Sequence, residues 1–125
     1  HSCFEAFFGL KGSPVYYEFN FSPSSEWAAY RFRAYRDGGP IDDESLAPII
    51  STEQGADQLM LTAMIRLDRL PLLQSARTLR VGLSAVIEAA DGKLSYWAVR
   101  HPAAKPDFHH ADSFALELAL PRESA

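Results

Sequence analysis

The sequence predicts an all-β fold, an antiparallel two-sheet β-sandwich. Three observations carry the prediction. About seven short segments alternate apolar and polar side chains with a period of two, as half-buried strands do. Clusters of Gly, Pro, Ser and Asp separate them at short intervals. Helical periodicity is nearly absent, and strands without helices bury their apolar faces by packing sheet on sheet.

Residues 3 to 8, CFEAFF, open as a strand with Cys3, Glu5 and Phe7 on one face and Phe4, Ala6 and Phe8 on the other. Gly9, Gly12, Ser13 and Pro14 mark the next turn. In VYYEFNF, residues 15 to 21, Tyr17, Phe19 and Phe21 oppose Tyr16, Glu18 and Asn20. A serine-proline turn leads to WAAYRF at 27 to 32, where Ala28, Tyr30 and Phe32 alternate with Trp27, Ala29 and Arg31. These three strands read as an antiparallel meander. Residues 36 to 47 carry Asp37, Gly38, Gly39, Pro40 and the acidic run Asp42, Asp43 and Glu44, and are expected to be a mobile loop. Strands are expected at 48–53 and from Gln58 to about Ile65, then a short helical turn near Asp68 to Leu72. Met60, Thr62 and Met64 oppose Leu59, Leu61, Ala63 and Ile65. Thr78 to Glu88 is the longest strand, with Leu79, Val81, Leu83, Ala85 and Ile87 inward. Gly82 and Ser84 sit on its other row, where a small residue can admit a ligand or a bulge. Asp91 and Gly92 signal a hairpin into LSYWA, and FALELAL at 114–120 is the last strand, with Phe114, Leu116, Leu118 and Leu120 inward. Residues 121–125 read as a frayed tail.

At 125 residues the chain is one domain. It is 47% hydrophobic, which excludes disorder, and its apolar runs are too short for a membrane span. A formal charge of −4 without a basic stripe argues against nucleic acid. The single cysteine, Cys3, rules out an internal disulfide framework and makes no demand for an oxidising compartment, so the cytoplasm is the expected location. The chain starts without an initiator methionine and reads as a fragment, so a periplasmic origin with a signal upstream is the alternative.

Binding chemistry is expected in two places. The first is a polar set on apolar strands, Glu5, Glu18, Asn20 and Arg31, with Trp27 and Trp97. If the meander gathers these on one face, flat rings beside hydroxyl-pairing groups suit a sugar. The alternative is a solvated face with an ordinary Glu–Arg pair, worth little to stability. The second is the loop after the 94–98 strand, which holds His101, His109, His110, Lys105 and Asp107. Adjacent histidines on extended chain point apart, so hydrogen bonding is expected there rather than a metal. No nucleophile elbow or His-Glu motif is present, and a non-enzyme is expected.

The segments HSCFEAFF, YYEFNFSPSSEWAAYRFRAYRDG, LRVGLSAVIE and LSYWAVRHPAAKPDFHHADSFALEL resemble the bacterial DOMON-like domains, relatives of the family-9 carbohydrate-binding modules and of the haem-binding DOMON cytochromes. The resemblance runs from His1 to Leu120. It implies a jelly-roll-like sandwich that binds a ligand without chemistry of its own. From the sugar-binding relatives it implies a role for Glu5 and an indole clamp formed by Trp97 and Trp27. From the haem-binding relatives it implies iron ligation by a methionine and a histidine, for which Met60 and His109 are placeholders. Family members carry strands before the segment resembling CFEAFF. This chain lacks them, which implies an exposed sheet edge able to pair with a second copy or another partner.

Overall fold

The computed structural model describes residues 2–74, 77–102 and 105–120. The expected tail at 121–125 lies outside them. Among the described residues the chain forms strands β1 (Cys3–Leu10), β2 (Tyr16–Phe21), β3 (Trp27–Ala34), β4 (Asp37–Pro40), β5 (Ile49–Gln54), β6 (Leu59–Met64), β7 (Thr78–Glu88), β8 (Leu94–Ala98) and β9 (Leu116–Ala119). Short 3₁₀ turns at Glu44–Leu46, Leu67–Arg69, Pro71–Leu73 and Ala111–Ser113 are the helical content among the described residues. The all-β antiparallel sandwich expected from the alternation is what forms.

Seven strands make the large sheet, in the order β4-β3-β2-β1-β7-β8, and β9 pairs with the N-terminal half of β7. The β1–β2–β3 meander is as expected. The turns between them close on local hydrogen bonds, such as Ser22 N–H to the Glu26 carbonyl at 2.9 Å. Gly92, at φ 84°, turns the β7–β8 hairpin, where the Asp91 carboxylate accepts the Lys93 N–H at 2.9 Å.

One face of this sheet is the sandwich interior. Ala6, Phe8, Tyr17, Phe19, Phe21, Leu79 and Val81 are buried there. The β5–β6 hairpin lies over them through Ile50, Leu61 and Ala63, and the 3₁₀ turns add Leu46, Leu70 and Leu73. This second layer is only two strands wide. It leaves Leu83, Trp97, Leu116 and Leu118 of β7, β8 and β9 exposed on the same face. The expected inward row of β7 is therefore buried at Leu79 and Val81 and exposed at Leu83.

The opposite face is covered over part of its area by residues 105–114, which cross it as a strap. Phe108 and Phe114 are buried there with Phe7, Tyr16 and Phe32. The strap gives Phe114 a different place from the inward strand position expected for it. Its ring stacks on Phe7 with centroids 5.4 Å apart, on the face away from the sandwich interior. Gly9 and Gly82, on neighbouring strands, make the seat. A Cβ at Gly82 would lie 2.9 Å from the Phe114 ring and 3.2 Å from the Ser113 carbonyl. The small residue expected to admit a ligand thus admits the protein's own phenylalanine.

The segment expected to be a mobile loop at 36–47 is ordered as β4 and a 3₁₀ turn. The β3–β4 connection is Tyr35–Arg36, with Arg36 at φ 54°, rather than the Asp-Gly-Gly run. Gly38 instead permits a close approach, since a Cβ there would lie 2.0 Å from the Arg31 carbonyl beside the register shift at Phe32–Ala34.

Two alanine substitutions separate these roles. Gly82→Ala forces the Phe114 ring and the strap away and is expected to cost about 1–3 kcal/mol in urea unfolding. Gly39→Ala, where a Cβ meets no atom within 4 Å, is expected to stay within about 0.5 kcal/mol of the parent. Equal costs for the two would show that the strap does not depend on the glycine seat.

Candidate functional site

Strand register decides which polar side chains meet. β1 sets Glu5 opposite Asn20 of β2 and opposite Ser84 of β7. Phe7 of β1 faces Glu18, and Glu18 faces Tyr30 of β3. Glu5, Glu18, Asn20, Ser84 and Tyr30 therefore share the strap face. So do Val86, Tyr96 and Ala98, because Ser84 pairs with Ala98 and Val86 with Tyr96.

Arg31, Trp27 and Trp97 lie on the other face. Arg31 pairs with Tyr17, Trp27 with Phe21, and Trp97 with Ala85, all of which point into or along the sandwich layer. The expected convergence of both carboxylates, the guanidinium and both indoles on one face does not occur. The reason is parity: a one-residue difference in register moves a side chain to the opposite face. Nor can the indoles clamp one ring. With β2, β1 and β7 between β3 and β8, they stand about 19 Å apart in the sheet plane. Trp27 packs against the interior cluster, and the exposed Trp97 donates its Nε1–H to Ser95 Oγ at 3.0 Å.

The strap ends at the polar set. His109 is half-buried among the Phe7, Phe32 and Tyr16 rings, with centroids 5.1, 5.1 and 5.8 Å away. The Tyr16 hydroxyl accepts the Arg36 N–H at 2.9 Å and is hydrogen-bonded to His109 Nδ1, also 2.9 Å away. His109 Nε2 faces Glu18 Oε1 at 3.5 Å. Burial, followed by the nearby Arg36 charge, lowers the His109 pKa and keeps the ring neutral. Asp107 ties the strap to the β3–β4 turn. It accepts from the Tyr35 hydroxyl, pairs with Arg36 Nη2 at 3.0 Å and accepts the His109 N–H at 3.2 Å. Burial alone would raise its pKa, but the Tyr35 and Arg36 hydrogen bonds prevail and lower it.

The two glutamates behave differently. Glu18 is 6% exposed, and desolvation, then repulsion from Glu5, pushes its pKa up to about 7. With its amide nitrogen turned to the carboxylate, Asn20 donates to Glu18 Oε2 at 2.8 Å. Glu5 is also raised by burial, against a hydrogen bond from Ser84 Oγ at 3.3 Å. No arginine or lysine contacts either carboxylate among the described residues. The arrangement holds two acceptor-rich carboxyl groups, one of them able to carry a proton near neutrality, with an amide and a hydroxyl beside them. Half-buried Tyr30 and exposed Tyr96 add to the aromatic cluster of Phe7, Tyr16, Phe32, Phe108 and Phe114 on this face.

Of the six residues expected to bind ligand, Glu5, Asn20 and His109 come together, and Trp27, Arg31 and Trp97 do not join them. Ser84 was visible only as a small residue in a strand, and its partnership with Glu5 rests on a long-range register. The role of Tyr16 had no local signal. The other two histidines act separately: His101 lies beside Phe108 at 5.9 Å, and His110 Nδ1 accepts the Asp112 N–H at 3.1 Å. The Met60–His109 pair expected for haem is split. Met60 is exposed on β6, in the second layer, and His109 lies across the large sheet with both ring nitrogens turned to protein groups. No group of three or more His, Cys, Asp or Glu side chains among the described residues could hold a metal ion, and no described helix is long and apolar enough to cross a membrane.

The raised Glu18 pKa fixes a pH dependence. The folded state binds this proton more tightly than the unfolded chain, whose carboxyl titrates near 4.5. Its stabilising effect is full below that pH and is lost as pH rises through about 7. Glu18→Gln is expected to match the parent in thermal melts near pH 4.5 and to gain on it progressively up to pH 8, by at most about 3 kcal/mol. The lowered His109 pKa acts in the opposite sense, destabilising the fold as pH falls through 6.5, in parent and variant alike. A variant less stable than the parent at pH 8 would mean the ionised carboxylate is a net stabiliser.

No protein-family model, curated protein or solved structure matches the chain.

Proposed function

We propose that this chain is a non-catalytic ligand-binding β-sandwich module, and that its ligand is a carbohydrate or a similar polyhydroxylated molecule seated beside the strap on the face that carries Glu5. One observation supports this above the others. Two adjacent carboxyl groups are taken out of bulk water on an apolar sheet face without an arginine or lysine in contact, and the histidine beside Glu18 has a lowered pKa. Such a pair costs stability, so its retention points to donors supplied from outside. Sugar hydroxyls are donors of this kind, and Tyr30, paired with Glu18 across β2 and β3, offers a flat surface for the C–H face of a ring.

The resemblance to sugar-binding domains agrees in giving Glu5 this role, but the indole clamp is replaced. Glu5 and Asn20 are the expected contacts, with His109 as the wall on the strap side. The haem reading has no supporting pair of ligands. A second reading, self-association at the β8 edge, has one observation in its favour: the exposed apolar side chains Leu83, Trp97, Leu116 and Leu118 beside that edge. A single monomer mass by light scattering across a hundredfold concentration range would exclude it.

Glycan-array screening followed by calorimetry tests the main reading. Glu5→Gln and Asn20→Ala are each expected to weaken binding about tenfold or more, through unpaired hydroxyls in the complex. Trp97→Ala is expected to leave it unchanged. Absence of binding to every glycan by a folded sample overturns the reading, as does binding that survives Glu5→Gln and is lost in Trp97→Ala.

A further inference from the structure

A concavity lies on the side of the large sheet opposite the strap, under β4. It has a volume of about 660 Å³, within the range of small-molecule sites. Its floor is apolar: Tyr17, Leu46 and Leu70 are each at most 4% exposed. Its rim is charged, and most of those charges are already engaged. Arg33 Nε donates to Asp37 at 2.7 Å, Arg69 Nη1 donates to the Ser45 carbonyl at 2.5 Å, and Asp43 accepts the Ser45 N–H at 2.9 Å. Two groups are left over. Arg31 and Asp42 line the same cleft, and among the described residues neither has a hydrogen bond or an ion pair.

We infer that this cleft is a binding site for a small monocarboxylate that carries an apolar body and an amino or hydroxyl group, with Arg31 gripping the carboxylate. A free guanidinium is a planar fork that matches a carboxylate in two parallel hydrogen bonds. The rim holds Arg31, Arg33 and Arg69 against Asp37, Asp42 and Asp43, so it carries no net charge. It can neutralise one negative charge locally and disfavours a dianion such as phosphate. Asp42, the other uncommitted group, accepts from an ammonium or hydroxyl. The Tyr17–Leu46–Leu70 floor takes the apolar body, which must be large enough to displace water from it. The site needs no ordering of the backbone around it, because β3, β4 and the 3₁₀ turn already frame it. It uses Arg31, which the sugar-type site across the sheet does not, and it stands independently of that proposal.

The test uses the intact chain and four probes: L-phenylalanine, 3-phenylpropanoate, L-phenylalaninamide and inorganic phosphate. Binding is followed by amide chemical shifts and by calorimetry. L-Phenylalanine and 3-phenylpropanoate are expected to shift Gly38, Gly39 and Leu46, with phenylalanine the tighter through Asp42. Phenylalaninamide, which lacks the carboxylate, and phosphate are each expected to bind at least tenfold more weakly. Arg31→Gln is expected to abolish the carboxylate preference, Arg31→Lys to keep part of it, and Asp42→Asn to reduce phenylalanine to the level of 3-phenylpropanoate. Arg31 is exposed and has no partner among the described residues, so its variants are expected to melt with the parent, and Glu5→Gln serves as a control that leaves this cleft unchanged. No shift with either carboxylate, equal binding of phosphate, or an unaltered affinity in Arg31→Gln overturns the inference.

Discussion

The structure depends on the pleat of β1. This strand is paired along both edges, to β2 and to β7, so the direction of each of its side chains is fixed twice over. Phe4, Ala6 and Phe8 go into the sandwich, and Cys3, Glu5 and Phe7 go to the strap face. Because pairing is antiparallel and in register, the neighbours inherit this sorting: Asn20 and Ser84 flank Glu5, and Phe19 and Leu83 flank Ala6. The two candidate sites follow from it, an acidic face on one side and an arginine-rimmed cleft on the other.

The strap bounds one side of the acidic face. It is held by packing, with Phe114 on its glycine seat, and by a chain of hydrogen bonds from Arg36 through Tyr16 to His109. Most polar groups in that chain are satisfied at ordinary distances, and no buried side-chain nitrogen or oxygen lacks a partner among the described residues. Glu18 is the exception in energy rather than in geometry. It faces a histidine held neutral and a second carboxyl group, so its ionised form is poorly compensated. Arg36 adopts a left-handed backbone to place its N–H on Tyr16, a conformation that costs an arginine about 1 kcal/mol. A well-satisfied strap thus lies beside a poorly compensated carboxylate.

Much of the fold was legible because period-two alternation is a local signal. The 78–88 strand, the meander and the Asp91–Gly92 hairpin could be read from a few residues each. The errors have physical causes. Asp37-Gly38-Gly39 looks like turn chemistry, yet Gly38 is there because the backbone of Arg31 comes too close for a side chain. Phe114 continues an alternating pattern, yet its ring is drawn off by the seat at Gly9 and Gly82. The candidate site was half legible: Glu5, Asn20 and His109 share one face, as the alternation suggests, whereas Arg31 and the indoles lie on the other. Alternation tells which residues of one strand share a side; which side faces which across strands is set by register, and register is fixed by turns and by pairings far apart in sequence.

The central position of β1 also bears on how the chain reaches this state. It is the first strand in order, and its β2 edge can close within a hairpin. Its other edge has no permanent occupant until β7 arrives, with Cys3 meeting Val86 and Leu10 meeting Leu79. Such distant pairings slow folding, because the entropy of closing the intervening chain is lost before the contacts form. Until then Phe4, Ala6 and Phe8 lie along a bare backbone edge, a template for the same segment of another molecule. The strand that orders the finished protein is therefore also one that can mispair before its second partner arrives.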